Sequence, residues 1–171
     1  EQKRDAAIEQ KTRADEQAAI ATAVNDFLRK DLLGQADIAN QTLDQGDRNP
    51  NITVRELLDR AAKSIEGKFQ EQPLVEASIR DTVGRAYLSL AIFERAEQHL
   101  ARALKLRQTN LAENHLDLIT SMNNLAQLFN KSARFEEAEE LYKTSQDMLR
   151  DKLGEDHPLT LMSMNNLAGL Y

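Results

Sequence analysis

Apolar residues recur at intervals of three and four along most of this chain, the period of a helix with one buried face. Val54, Leu57, Leu58, Ala61, Ala62, Ile65 and Phe69 mark one such face, and Thr53 with Glu56 supplies a capping box at its start. Upstream, Ile20, Val24, Phe27, Leu28, Leu32 and Leu33 predict another amphipathic helix, separated from the first by the polar loop Asp44 to Asn51. Downstream, Ile119, Met122, Leu125, Ala126 and Phe129 predict a helix over about 116–130. Ala138, Leu141, Tyr142 and Met148 predict its partner over about 135–150. Pro73 and Pro158 suit first helical turns, Asn114 and Asp156 suit caps, and Gly154 suits a stop after Leu153. The small Ala126 and Ala138 allow the two helices to approach closely.

The pattern repeats. The stretch from Asn114 to Phe129 lies over that from Asp156 to Tyr171 with His115 and His157 in register, an offset of 42 residues. One further step back sets Val83 on Leu125, Gly84 on Ala126, Tyr87 on Phe129, Phe93 on Phe135, Ala96 on Ala138 and Leu100 on Tyr142. Recurrence at a fixed period of this length is the mark of a stacked helical repeat. The expected fold is therefore all-α. A charged connecting helix occupies 1–19, a degenerate helical hairpin capping the array occupies 20–71, and 72–171 forms a solenoid of antiparallel helix pairs. That array comprises two full repeats and the first helix of a third. An apolar helix face without its partner and a start inside a charged helical pattern imply a parent chain that continues at both ends.

The recurring positions Val83-Gly84, Tyr87, Ala96, Leu100 and Ala103, then Leu125-Ala126, Phe129, Ala138, Tyr142 and Ser145, then Leu167-Ala168 and Tyr171 resemble the tetratricopeptide-repeat (TPR) signature. The Asn-Asn-Leu-Ala core and the Gly-Glu-Asp-His-Pro lead-in are similar to the 42-residue repeats of kinesin light chains. The resemblance covers about 72–171. It departs at Ser145, usually Ala, and at Leu116, which stands where Pro158 supplies the proline, implying a less sharp start to the second repeat. The segment from Asn25 to Ala36, after a charged helix and before long repeats, resembles the region following the membrane anchor of certain bacterial serine/threonine protein kinases. That likeness implies an interaction or sensing part of a kinase, holding none of its catalytic residues.

Composition narrows the function. A net charge of -6 without a cluster of Lys and Arg argues against general nucleic-acid binding. No run of about 18 apolar residues is present to span a bilayer. With no Cys there is no disulfide or thiolate metal site, and the compartment stays undecided, leaning to the cytoplasm, with a parent that the kinase likeness would anchor in a membrane. The chain carries no phosphate-binding Gly loop, zinc motif or nucleophile elbow, so no catalytic residue, metal ligand or cofactor is assigned. His99, His115 and His157 read as packing or helix-start residues. Glu136, Glu137, Glu139 and Glu140 read as a solvated face near a positive helix end. The methionines read as core filler, with Met162 and Met164 open to a surface role.

The Asn pairs are the candidate chemistry. Asn is a poor residue within a helix, yet Asn123-Asn124 recurs as Asn165-Asn166. The TPR resemblance places the first helix of each repeat on the concave groove, and with it Asn123 and Asn165, joined by Asp81, Arg85, Gln127, Asn130 and Lys131. An amide donates and accepts, which suits the backbone of an extended peptide, and Arg85 and Lys131 suit a carboxylate. The alternative is that one Asn of each pair only bridges neighbouring helices, and groove contact is weighted to Asn123 and Asn165 over Asn124 and Asn166. The leading expectation is a protein- or peptide-binding scaffold or sensor module. The alternative is a structural self-association element, because Ala7, Ala14, Ala21 and Leu28 recur every seven residues. The accompanying seam of Gln10, Gln17, Val24 and Asp31 is too polar for a regular coiled coil.

Overall fold

The computed structural model describes residues 2–36 and 52–171, so the loop expected over Asp44 to Asn51 lies outside the described residues. Seven α-helices account for most of them: α1 (Gln2–Asp26), α2 (Val54–Ile65), α3 (Pro73–Ser89), α4 (Phe93–Asn110), α5 (Leu116–Lys131), α6 (Phe135–Leu153) and α7 (Pro158–Ala168). No strand occurs among the described residues. The chain divides into two compact units, 1–79 and 80–171, the division falling within α3.

In the first unit α1 is continuous across the expected boundary at residue 20, and its side chains are exposed from Gln10 to Ala19. The apolar segment expected to continue as an α-helix to Leu33 instead winds as a π-helical turn, Phe27–Leu32, and a 3-10 turn, Leu33–Ala36. Both turns pack on α2, where Phe27, Leu58, Ala61 and Ile65 are buried. Lys68 Nζ closes the arrangement on Asp31 at 2.7 Å. The capping box at Thr53 and Glu56 is formed, with Thr53 Oγ1 accepting from Glu56 N at 3.2 Å and Glu56 Oε2 accepting from Thr53 N at 2.8 Å. That bonding holds the Glu56 carboxyl below its ordinary pKa. α2 ends at Ile65 rather than near Phe69: Glu66 leaves the helix at ψ 119°, and Gly67 at φ +75° completes a tight turn in which Lys68 N–H reaches Ile65 O at 3.2 Å.

In the second unit each intra-repeat turn is built alike. Ala91 and Ala133, 42 residues apart, take φ 56° and 61°. The next N–H reaches back five residues, from Ile92 to Tyr87 O at 3.0 Å and from Arg134 to Phe129 O at 2.8 Å. This closes the exposed carbonyls of α3 and α5 as a Schellman motif does. Arg134 then donates to Glu97 at 2.7 Å and to Glu137, and lies over the Phe129 ring at 4.1 Å. These contacts, Glu137 first, hold its guanidinium pKa above the usual range.

The starts of α5 and α7 correct the expected caps. His115 and His157, not Asn114 and Asp156, occupy the N-cap positions, and each Nδ1 accepts from a backbone N–H two residues on, Asp117 and Leu159, at 3.2 Å. The helices begin one residue later than those caps required, at Leu116 and Pro158, so extended ψ angles of 135° and 138° fall on the histidines. His99 is a packing residue, stacked on Tyr87 with ring centroids 5.6 Å apart. Met122 is buried, whereas Met162 is 53% exposed and does not fill core.

Helix pairs meet at small residues. Ala96, Ala126 and Ala138 are fully buried. A Cβ added at Gly84 would lie 2.8 Å from Leu100 Cγ and 3.2 Å from His99 Cβ, atoms close to the backbone of α4 that cannot swing aside. Gly84→Ala gains about 1 kcal/mol of helix propensity but overpacks this contact by about 1–3 kcal/mol. A net loss of about 1 kcal/mol is expected, read as a lower urea midpoint. Ala126→Gly in the next repeat meets no such relief and loses both propensity and packing.

Candidate functional site: an amide-lined groove

The second unit carries a cavity of about 280 Å³ between α5 and α7, floored by α6. α5 contributes Leu116, Ile119, Thr120, Asn123, Asn124 and Gln127, α6 contributes Tyr142 and Leu149, and α7 contributes Leu159, Met162 and Asn166. None of these side chains carries a charge. Burial pushes the Tyr142 phenol up, which keeps it neutral at any physiological pH. The cavity therefore offers three Asn amides, one Gln amide and the hydroxyls of Thr120 and Tyr142 set among aliphatic and aromatic carbon.

The seven residues expected to line the groove are placed differently from one another. Asn123 and Gln127 line the cavity, half-buried and exposed respectively. Asn165 is exposed and Asn130 half-buried, and neither lines it. Arg85 and Lys131 are exposed, also outside the lining, and Arg85 lies 4.0 Å from Asp81. Asp81 is buried at 7% exposure, so it is not available to a ligand directly. Asn124 and Asn166, the less favoured members of each pair, line the cavity. Bridging falls to both members of the first pair: Asn124 Nδ2 donates to Asp81 Oδ1 at 2.8 Å, and Asn123 Oδ1 accepts from Ser145 Oγ at 2.8 Å.

Behind Asn124 sits a polar cluster that the sequence did not disclose. Arg107 of α4, 8% exposed, reaches Asp81 Oδ1 at 3.6 Å and donates to Ser121 Oγ. One 42-residue step on, these positions are Asn123, Leu149 and Ser163. Ser163 Oγ is buried with no hydrogen-bond partner, because Leu149 stands where an arginine would reach it. The first junction is thus charged and the second neutral. The sequence signal was the paired change, Asp81 to Asn123 and Arg107 to Leu149, at one repeat step.

Among the described residues no group of three or more His, Asp or Glu converges on a possible metal position. No described helix is long and apolar enough to cross a membrane.

The geometry is that of a helical-repeat array with its first helices lining one face. Residues 75–151 match the family model described as tetratricopeptide repeat. Two solved structures of a Podosopora anserina protein with nearly identical TPR-like repeats, named after kinesin light chain, are similar in fold. The Q17M form gives a TM-score of 0.62 at 20% identity, covering 90% of this chain and 65% of that one. The second gives a TM-score of 0.57 at 19% identity with the same coverage. This chain therefore spans about 65% of the length of those structures. No curated protein matches the sequence.

The two junctions predict a mutational cycle. Arg107→Leu alone leaves the buried Asp81 carboxylate with only the exposed Arg85, 4.0 Å away, and costs about 3 kcal/mol. Adding Asp81→Asn reproduces the Asn123 and Leu149 arrangement of the next repeat and restores most of that loss. Urea unfolding of wild type, both singles and the double measures the coupling.

Proposed function

We infer that this chain is a protein- or peptide-binding scaffold or sensor module, holding an extended segment of its partner along α5 and α7. The observation that carries this reading is the cavity itself: amides able to both donate and accept, interspersed with apolar carbon, suit a peptide backbone and its uncharged side chains. Tetratricopeptide repeats are a protein-interaction scaffold with no catalytic centre of their own, which agrees with it. The finer reading is that the module belongs to a larger bacterial signalling protein such as a membrane-anchored serine/threonine kinase. It rests on the likeness of residues 25–36, together with the charged helix before them. The parts proposed are a connecting helix (1–19), a capping hairpin (20–71) and the binding array (72–171).

A photo-crosslinking residue at Gln127, on the cavity, is expected to join a partner protein that the same residue at Glu136, on the outer start of α6, does not. Asn123→Ala is expected to weaken that capture about tenfold through loss of one buried amide contact. Equal crosslinking from both positions would contradict a groove-bound partner.

Self-association through α1 is the second reading, favoured by the full exposure of Gln10 to Ala19, no side chain of which is buried in its own chain. Light scattering distinguishes it: a mass that doubles with concentration and reverts on deleting residues 1–19 supports pairing. A constant monomer mass opposes it.

A further inference from the structure

Asn123 and Asn124 are neighbours on the cavity wall, but different partners hold them, and the partners decide which end of each amide is left for a ligand. Asn124 Nδ2 donates to Asp81 Oδ1 at 2.8 Å. A carboxylate only accepts hydrogen bonds, and this one is buried beside Arg107 Nη1 at 3.6 Å. Turning the Asn124 amide over would set its carbonyl oxygen against a carboxylate oxygen, so its orientation is fixed by chemistry. With Nδ2 tied to Asp81, the carbonyl oxygen of this cavity-lining residue is held in one place as an acceptor, beside the second Nδ2 proton, which remains a donor.

The other Asn positions lack this constraint. Asn123 Oδ1 accepts from Ser145 Oγ, but that hydroxyl also lies 3.0 Å from Tyr142 O and carries a single proton, so it can either donate to or accept from the amide. In the next repeat Asn123 stands in the register position of Asp81, and Asn166 in that of Asn124. An amide opposite an amide has no compulsory polarity. A fixed acceptor is thus a property of the first junction, created by the single difference of Asp81 from its register mates Asn123 and Asn165.

We propose that Asp81 is a positioning residue: by holding Asn124 Nδ2 it fixes one acceptor on the groove, and so makes the site select an uncharged extended peptide segment through a backbone N–H. This deepens, and rests on, the reading of the cavity as a peptide site. The ligand chemistry follows from the lining. A segment with a free N–H facing Asn124 and an aliphatic side chain against Leu149, Leu159 and Met162 satisfies both the acceptor and the apolar carbon. A charged side chain in that place would find no counter-ion among the lining residues.

The test uses two probes, acetyl-leucine-N-methylamide and the same compound methylated on both nitrogens, titrated into the full chain with isotope-labelled Asn and methyl groups. The expected result is a saturable shift of the Asn124 side-chain carbonyl carbon, with the methylated probe at least about tenfold weaker, the factor for one lost hydrogen bond of ordinary strength. In Asp81→Asn, checked for intact helicity, the amide can turn over and the ratio of the two affinities falls toward one. Equal affinities in the wild type would overturn the proposal, as would a ratio undiminished in folded Asp81→Asn. Should that variant not fold, the wild-type pair decides alone. If both probes shift the methyls of Ile119, Leu149 and Leu159 equally with no preference at Asn124, the polarity fails while the cavity remains a peptide site. If neither probe moves any of those methyls, both readings fail together.

Discussion

Burying a carboxylate costs several kcal/mol unless its charge and its lone pairs are both met, and Asp81 meets both inside the helix stack. Arg107 of α4 supplies the cation and Asn124 of α5 supplies a hydrogen bond, so one side chain of α3 ties three successive helices at a single point. Ser121 completes the set by accepting from the same arginine. Apolar packing alone would let α5 slide against the preceding pair at small cost, whereas a buried charge tolerates only the register in which its partners are present. The placement of Asn124 on the cavity wall follows from that register.

The next junction shows the same backbone solution without the charge. Leu149 replaces Arg107, Asn123 replaces Asp81, and Ser163 is left buried without a partner. A neutral junction avoids the desolvation cost but gives up the fixed orientation. The array therefore combines a wall held rigid by the first junction, contributed by α5, with a more adaptable one contributed by α7, on opposite sides of an uncharged cavity. Such a combination suits a ligand recognised mainly by its backbone, with the apolar floor of Tyr142 and Leu149 accepting a range of aliphatic side chains.

Much of the fold was legible because its determinants are local and repeated. The 3.6-residue period, the small residues at positions 84, 126 and 138, and the 42-residue offset each point to paired helices, and α5 and α6 begin and end within a few residues of the expected positions. Legibility failed where a side chain outside the usual capping set did the work, as with His115 and His157. It also failed where helix type, rather than helix presence, was in question, as in the π-helical turn at Phe27–Leu32. The groove was legible only as a face. Asn123 and Gln127 were expected there from the repeat resemblance, but Asn124 and Asn166 were given less weight, although adjacent residues on a helix stand only about 100° apart and both members of the first pair reach the cavity edge. The Arg107 cluster was invisible for a different reason: a buried arginine and an exposed one look alike in a helix whose remaining polar residues face water.

The central claim is that the groove between α5 and α7 recognises a neutral, extended peptide. Selection from a random peptide display library on the full chain measures this most directly. The account predicts enrichment of uncharged sequences carrying aliphatic side chains, lost when Asn123 and Gln127 are both changed to Ala. Enrichment of acidic or basic peptides, or of sequences indifferent to those two changes, would contradict it.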